Sequence, residues 1–382
     1  MIRRIGSLTI KEFLHLLHNW WLPALILVGG ALELLLIGWA TSRPITNLPL
    51  MVLDHDQSGA SRALIGSLEN METFVLEGYA DRMDAIQETF DRGEITAALV
   101  IPPGYGRQVA GLRGDFANPG RTRPTVALWL DGAESMAAKA ALRDAESAVQ
   151  QFGQQLVIHH MGLDEGALNR FEPSLRVWFN EELSEALYTT PAELGLMLEF
   201  TVLIFAALAF ARERELGTLE QLLVMPFSSL EIIVGKALPA AVVGFADFWL
   251  LLAIIHLAFG VPVRGSLPLL FVLALGYVLV ELGKGLVISI VSRTQHQAFL
   301  LVMMVIMVDF MFTGFAAPVE SMPQVLQWVA QLVPAHHWLA ILRGLLLKGA
   351  GLDVLWPHVV ALAALGLVIG SFSLYYVRKA LE

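Results

Sequence analysis

The sequence contains no cysteine, and only 16% of its 382 residues are charged. Without cysteine the chain has no disulfide framework, no thiol nucleophile and no metal or redox site built on thiolates. A soluble domain needs a polar surface, and the scarcity of charge beside 56% hydrophobic residues excludes that class. The composition therefore predicts an integral membrane protein.

A nucleotide-binding loop is also missing from the sequence. The pattern G-x-x-x-x-G-K-[ST] occurs nowhere, because the two Gly-Lys pairs, at Lys236 and Lys284, are followed by alanine and glycine. No Ser-His-Asp set or paired-carboxylate pattern stands out from ordinary surface residues. We therefore expect no enzyme activity, no bound cofactor and no metal site in this chain.

One calcium-like motif has a simpler interpretation. The stretch "DHDQSG" places Asp54, Asp56 and Ser58 at the early spacing of an EF-hand loop, but the position of the bidentate glutamate is Ile65. The motif instead indicates the end of a strand, with Ser58 or Ser61 capping the next helix.

Six stretches are apolar for long enough to cross a bilayer as helices, which takes roughly 20 residues. They are residues 22–41, 189–211, 232–259, 267–291, 298–316 and 353–377. Residues 1–21 are predicted to form an amphipathic helix in the inner interface, ending in two tryptophans. A cleaved signal peptide is the competing interpretation, but the first apolar run is longer than a typical signal sequence and begins late.

The orientation follows from lysines and arginines in short flanking segments. With the N-terminus inside, nine of them are cytoplasmic: Arg3, Arg4, Lys11, Arg212, Arg214, Lys236, Arg293, Arg378 and Lys379. Only Arg264, Arg343 and Lys348 are then outside. Both termini are therefore predicted to be cytoplasmic.

Residues 42–188 form a long segment that is predicted to lie outside the cytoplasm, in the periplasm or the extracellular space. Strand-like runs such as "LPLMVLD" and "TFVLEGY" alternate there with polar helical windows, as in an α/β domain. Between Arg43 and Glu185 there are 21 acidic and 12 basic residues, so this segment carries nearly all of the formal net charge of −10. The predicted fold class is an α-helical polytopic membrane protein with six transmembrane helices and an inserted extracytoplasmic α/β domain.

Residues 212–231 form a charged segment between the second and third apolar stretches. Leucines in "RERELGTLEQLLV" recur at three- and four-residue steps, which predicts a short amphipathic helix. Pro226 ends that helix, and Ser228 with Glu231 fits a capping box that begins the third apolar stretch. Anionic lipid would repel the acidic residues, so a protein partner is favoured over the membrane surface.

Ionisable residues within the predicted spans are costly and need partners. Six fall there: Glu33, Glu199, Asp247, Glu281, Lys284 and Asp309. Glu281 and Lys284 lie three residues apart on one helix and can neutralise each other. Alternatively, members of this set line a translocation path or a subunit interface, or lie near the membrane surface.

Residues 317–350 contain Pro318, Pro323 and Pro334, and their apolar windows are too short to cross a bilayer. We expect re-entrant or interfacial helices there, on the outer side.

The stretch "RERELGTLEQLLVMPFSSLEIIVGK" resembles the signature of ABC-2 type membrane subunits, the permease half of bacterial ABC exporters. "MVLDHDQSGASRALI" and "VALWLDGAES" are similar to the external domain of the subfamily with a long insertion. The resemblance covers nearly the whole chain. It implies a bacterial inner-membrane protein whose coupling helix docks into a cleft on a separate ATPase subunit. The docking residues it implies are Glu213, Glu215, Gly217, Thr218, Glu220, Leu223 and Pro226.

The resemblance also implies further partners. ATP and Mg²⁺ are expected on the partner ATPase, and the permease is expected to pair with a second copy or a paralogue in the lipid bilayer. A periplasmic adaptor is an optional partner, and nucleic acid is not expected.

The function expected is that of a permease subunit of an ATP-driven exporter, which moves substrate out of the cytoplasm or inner membrane by alternating access. A non-transporting membrane sensor or assembly scaffold, with a ligand-binding external domain, is the alternative. The composition does not distinguish drugs, lipids, polysaccharides and peptides as substrates.

Overall fold

The structure, a computed structural model, describes residues 2–42, 45–111, 124–133, 135–161 and 184–381. Two units are separable by their internal contacts, one comprising residues 1–43 with 176–382 and the other residues 44–175.

In chain order, the first unit begins with two helices, α1 (Ile2–His18) and α2 (Trp21–Thr41). The second unit follows as β1 (Leu48–Asp54), α3 (Gly59–Glu69), β2 (Phe74–Tyr79), α4 (Met83–Asp91), β3 (Ala97–Ile101), α5 (Tyr105–Gly111), β4 (Ala127–Leu130) and α6 (Ser135–Met161). The first unit then resumes with α7 (Glu185–Glu215), α8 (Leu219–Val224), α9 (Ser229–Phe259), α10 (Leu267–Val291), α11 (Gln295–Phe312), α12 (Gln324–Ala330), α13 (Pro334–Arg343) and α14 (Leu352–Leu381).

Six helices of the described chain are long and apolar enough to cross a membrane: α2, α7, α9, α10, α11 and α14. They correspond in order to the six predicted stretches; the ends of α10 are those predicted, and the ends of the others differ by up to about four residues. The helix α7 is longer than predicted at both ends and extends to Glu215 instead of ending near residue 211. Charged residues at its end continue the helical turn beyond the apolar run, so hydrophobicity alone underestimates its length.

The helix α7 lies at the centre of the first unit and packs against α2, α9, α10, α11 and α13. In its most apolar window 78% of the residues are buried, against 11% in α2 and in α14. Close packing depends on Gly285 of α10, because a β-carbon there would lie 2.5 Å from the Ala206 β-carbon. At that distance even alanine forces the two helices apart.

Residues 317–350 contain no single helix of membrane-spanning length in the described chain. A 3₁₀ turn at Val319–Ser321 is followed by α12 and α13, and α13 continues as a π-helical turn, Gly344–Lys348. All of these are shorter than the roughly 20 residues needed to cross a bilayer. The prolines predicted to break this region do so, since Pro323 and Pro334 precede or begin α12 and α13.

The second unit is built on a four-stranded sheet of order β2-β1-β3-β4. The strands β1, β2 and β3 are parallel, and β4 runs antiparallel to β3. One face is buried by α3, α5 and α6, whose residues cluster with Leu50 and Leu99 of the central strands. The other face carries a smaller cluster in which Ile86 of α4 contacts Leu53 and Ala98.

Candidate functional site

The segment that connects α7 to α9, residues 216–228, is named here the α7–α9 loop. It is not the single amphipathic helix that the leucine spacing predicts. The chain leaves α7 at Leu216, turns at Gly217 with a positive φ of 70°, and re-forms a helix only from Leu219 to Val224. Glycine adopts this left-handed conformation without steric cost, and it is the usual way to end a helix. The charged run from Arg212 to Glu215 is therefore the last turn of α7.

The predicted capping box at the end of the loop is present. The Ser228 hydroxyl accepts from the backbone N–H of Glu231 at 3.3 Å, and the Glu231 carboxylate accepts from the backbone N–H of Ser228 at 2.9 Å. Two otherwise unsatisfied donors are thereby paired. The direction in which the chain leaves the loop is fixed by this pair.

Glu213 lies inside the protein, although it is among the residues predicted to contact a partner. Its side chain is only 7% exposed and faces Lys236 at 3.1 Å and Lys11 at 3.3 Å. The hydroxyl of Thr218 also donates to its carboxylate. A carboxylate buried among these partners positions the loop and has little surface to offer to a second protein.

Lys236 is the centre of this arrangement, and the sequence indicated it only as a positive charge. Its fully buried ammonium group donates to Glu12 at 2.8 Å, to the Ala209 carbonyl at 3.0 Å and to Glu213 at 3.1 Å. An ammonium group has three donors, so all of them are used. These contacts join α1, α7 and α9. We name Lys11, Glu12, Glu213, Thr218 and Lys236 the Lys236 cluster.

Other contacts hold the α7–α9 loop and the last turn of α7. Arg4 of α1 donates to the carbonyl of Pro226 at 2.8 Å. Glu215 accepts from the backbone N–H of Gln295 at 2.7 Å, at the start of α11, and Arg214 donates to the Ile290 and Ser292 carbonyls, both at 2.6 Å. The loop is therefore fixed to the neighbouring helix ends.

The surface of the loop combines apolar and acidic side chains. Val224 is 87% exposed, and Leu216 and Met225 are also exposed, although sequence patterning did not indicate Val224 or Met225. Of the predicted docking residues, Glu215, Gly217, Glu220 and Pro226 are exposed and Thr218 is half-buried, while the side chain of Leu223 lies outside what the structure describes. Exposed apolar side chains grouped on a polar loop are typical of a protein-binding surface.

Four of the six ionisable residues predicted within spans form one cluster, in which three carboxyl groups surround a lysine. Lys284 of α10 lies 2.8 Å from Glu199 of α7, 2.8 Å from Glu281 and 2.7 Å from Asp309 of α11. The Tyr277 hydroxyl donates to Glu199 at 3.2 Å. We name Glu199, Tyr277, Glu281, Lys284 and Asp309 the Lys284 cluster. The predicted pairing of Glu281 with Lys284 is therefore one of the three carboxylate contacts that Lys284 makes.

The other two predicted residues lie elsewhere. Asp247 of α9 is buried and accepts from the Thr201 hydroxyl at 2.8 Å. Glu33 lies on the exposed surface of α2. Neither residue belongs to the Lys284 cluster. Sequence analysis also missed Glu193, which is buried on α7.

The calcium-like motif of the second unit has internal partners. Ser58 caps α3, as one of the two sequence interpretations predicts. The Asp56 carboxylate accepts from the backbone N–H groups of Gly104 at 2.8 Å and Gly106 at 2.7 Å. Hydrogen bonds from the Ser58 side chain and these backbone groups hold the pKa of Asp56 below its ordinary value. Asp56 thus joins the loop that follows β1 to the segment that follows β3.

Comparison with known proteins identifies relatives over the full length. The sequence model of the family described as "ABC-2 family transporter protein" matches residues 20–375. The chain is 29% identical to the probable multidrug ABC transporter permease YbhR of Escherichia coli, over 99% of both chains. It is 28% identical to the inner membrane transport permease YhhJ of the same organism, over 100% of this chain and 98% of that one.

A third relative is the probable multidrug ABC transporter permease YbhS of Escherichia coli, which is 25% identical over 100% of this chain and 98% of its own. The mostly helical fold with its long apolar helices agrees with these matches. The chain therefore belongs to the ABC-2 family of transporter proteins and is a polytopic membrane permease of an ABC transporter.

Proposed function

We propose that this permease is the membrane subunit of an exporter driven by a separate ATPase, and that the α7–α9 loop is where the ATPase binds. In this proposal α2, α7, α9, α10, α11 and α14 cross the bacterial inner membrane. Both termini and the α7–α9 loop face the cytoplasm, and the α/β unit lies outside. The distribution of lysine and arginine supports this orientation.

The fixed geometry of the α7–α9 loop is the observation on which the proposal rests. A loop that transmits force must move as one body with the helices it joins. The Lys236 cluster ties it to α1 and α9, the capping box sets the start of α9, and Glu215 joins it to α11. The exposed Val224 and its apolar neighbours form the surface on which a partner would press.

The central helix α7 provides a direct route from the loop into the membrane. It is continuous from Glu185 to Glu215 and carries Glu199 of the Lys284 cluster. At roughly 1.5 Å per residue, Glu199 lies about 21 Å from Glu213 along this helix. Closure of a pair of ATPases on ATP would displace the loop and tilt α7, which switches access to the substrate path between the two sides.

Pairing with a second permease copy or a paralogue completes the transporter in this proposal. The helices α2 and α14 are mostly unburied within the chain, so they face lipid or the second permease. Glu33 on the exposed surface of α2 then lies at that lipid or subunit boundary. Outside the membrane, the α/β unit would guide substrate or bind a periplasmic adaptor. Names of relatives such as YbhR favour export of drug-like compounds.

Copurification tests this function, and it also distinguishes an exporter from a sensor or scaffold. The permease is expressed with the P-loop ATPase encoded nearest to it and purified in detergent. We expect the ATPase to copurify and the permease to change its ATP turnover. A Val224→Asp variant places an unpaired charge at the centre of the contact, and we expect at least roughly tenfold weaker ATPase binding.

Val325→Asp is the matched control, because Val325 is a valine of α12 that is also well exposed, at 64%. This variant should bind the ATPase as the wild type does. Equal ATPase binding by Val224→Asp and wild type would contradict docking at the loop. A permease that never retains or stimulates an ATPase would favour the sensor or scaffold.

A further inference from the structure

Three histidines from two helices converge in the first unit. His336 and His337 lie near the start of α13, and His358 lies in the second turn of α14. One ring nitrogen from each of the three lies within 4.8 Å of the others. We propose that these three imidazoles bind a divalent transition-metal ion of the Zn²⁺ class and so fasten α13 to α14.

His337 is held in the form that a metal ligand requires. It is buried, and its Nε2 atom lies 2.9 Å from the backbone carbonyl of Gln331. A carbonyl oxygen only accepts hydrogen bonds, so Nε2 carries the proton and Nδ1 keeps its lone pair. A backbone carbonyl that orients the far nitrogen of a ligating histidine is the usual second layer of a zinc site.

The spacing of the nitrogens fits a shared ion. The Nδ1 atoms of His337 and His358 are 3.1 Å apart. Zinc–nitrogen bonds of about 2.0–2.1 Å in a tetrahedron place two ligand nitrogens about 3.3 Å from each other. Without metal, these two nitrogens can share one hydrogen bond, so this pair alone does not require an ion.

His336 distinguishes a metal site from a simple histidine pair. Its Nδ1 atom is buried and, within the described chain, makes no hydrogen bond of normal length and angle, although the backbone of Thr313 lies close to the ring. An unpaired buried nitrogen is costly unless another group coordinates it. The amide nitrogen of Gln331 lies 3.5 Å from Nε2 of the same ring, and a half-turn of that amide would present its oxygen to an Nε2 proton and leave Nδ1 as a ligand.

The chemistry of the three ligands selects the class of metal. Neutral imidazoles suit Zn²⁺, Co²⁺, Ni²⁺ and Cu²⁺, whereas Mg²⁺ and Ca²⁺ prefer oxygen ligands. Three protein ligands also leave one position for water or for a fourth group. The ion would join the short helix α13 to α14, which is otherwise little buried in the chain. Binding of such an ion requires neither a particular direction of transport nor the ATPase.

A cobalt titration of the full-length protein tests the site. The permease is purified in detergent with a tag that contains no histidine and is stripped of metal by a chelator. We expect one equivalent of Co²⁺ to give the intense visible bands of tetrahedral cobalt, and Zn²⁺ to displace it. His358→Gln should weaken binding at least roughly tenfold, since loss even of an orienting partner costs that much.

Two further variants keep the test decisive if glutamine disturbs the fold. His296→Gln, at an exposed histidine of α11, should bind cobalt as the wild type does. His358→Cys should retain cobalt and add a thiolate charge-transfer band in the near ultraviolet. Because the chain has no other cysteine, that band reports this position alone.

Zn²⁺ should also raise the melting temperature of the wild type and not that of His358→Gln. Cobalt spectra of the wild type that match those of the free aqueous ion would overturn the proposal. Unchanged affinity in His358→Gln would do the same.

Discussion

Replacing Lys284 with methionine is expected to leave the permease largely unfolded or strongly destabilised. Three carboxyl groups, those of Glu199, Glu281 and Asp309, contact this one ammonium group. Removing one partner of a buried ion pair leaves an uncompensated charge and costs about 3–5 kcal/mol. Since membrane domains are only marginally stable, this loss should appear as a large fall in monodisperse protein and in melting temperature after extraction into detergent.

Two comparisons separate this electrostatic effect from a general effect of losing a lysine. Lys348→Met removes an exposed lysine and should leave the yield unchanged. Adding Glu199→Gln and Asp309→Asn to Lys284→Met removes two of the orphaned charges, so the triple variant should recover much of the folded yield. The importance of the cluster would be refuted if Lys284→Met were as stable as the wild type.

The composition of the Lys284 cluster also bears on transport. One ammonium group faces three carboxyl groups, so the cluster is neutral only when it holds additional protons or a cation. It joins α7, α10 and α11, the helices that would move against one another when access changes. A charged junction of this kind is costly in lipid and is typically found where a protein has a functional reason for it.

Replacing Lys236 with methionine is expected to uncouple the permease from its ATPase. The variant loses the contacts to Glu12, Glu213 and the Ala209 carbonyl and leaves two carboxylates without their buried partner. Helix α1 and the α7–α9 loop would then separate from α9. The ATPase would press on a loop that no longer moves with α7. We expect transport-linked ATP turnover per folded permease to fall at least roughly tenfold, which corresponds to about 1.4 kcal/mol.

Lys11→Met gives the graded control for this result. Lys11 contacts the same Glu213 oxygen at 3.3 Å, but its side chain is 42% exposed, so water replaces much of what the ammonium group provides. Its effect on coupling should be small. A Lys236→Met and Glu213→Gln double variant should recover part of the coupling, because it removes one orphaned charge. Full coupling in Lys236→Met alone would show that the cluster does not transmit force.

Local signals in the sequence were sufficient for the helices and the loop ends. The six apolar runs, the prolines of residues 317–350 and the capping box at Ser228 depend on residues close together in the chain, and the structure has each of them. The predicted end of α7, near residue 211, was too early because it was taken from the apolar run alone. Its last turn is charged, and Gly217, rather than the end of the apolar run, stops the helix.

Contacts between distant residues could not be read in the same way. Glu213 looks like a surface acid in the sequence because the lysines that bury it come from α1 and α9. The pair of Glu281 and Lys284 follows from their spacing on α10, but Glu199 and Asp309 reach Lys284 only because α7 and α11 pack against α10. Docking at the predicted loop residues remains a prediction, with Glu213 reassigned from direct contact to positioning.

The histidine site shows a related limit. Two adjacent histidines diverge on a helix, which argues against metal binding by such a pair alone. The pair in "PAHHW" escapes this limit because His358 approaches from α14 and faces both rings. In the sequence these residues are a histidine pair and a single histidine in the last apolar stretch, which no spacing rule connects. Their meeting depends on how the two helices pack.

Labelling of a single cysteine in the α7–α9 loop tests the central claim most directly. Val224→Cys introduces a well exposed thiol into a chain that has no other. We predict that a membrane-impermeant maleimide reacts with it in inside-out vesicles, does not react in intact cells, and is blocked when the purified ATPase is bound. Reaction in intact cells would contradict a cytoplasmic position of the loop. Reaction that the bound ATPase leaves unchanged would contradict binding of the ATPase to the loop.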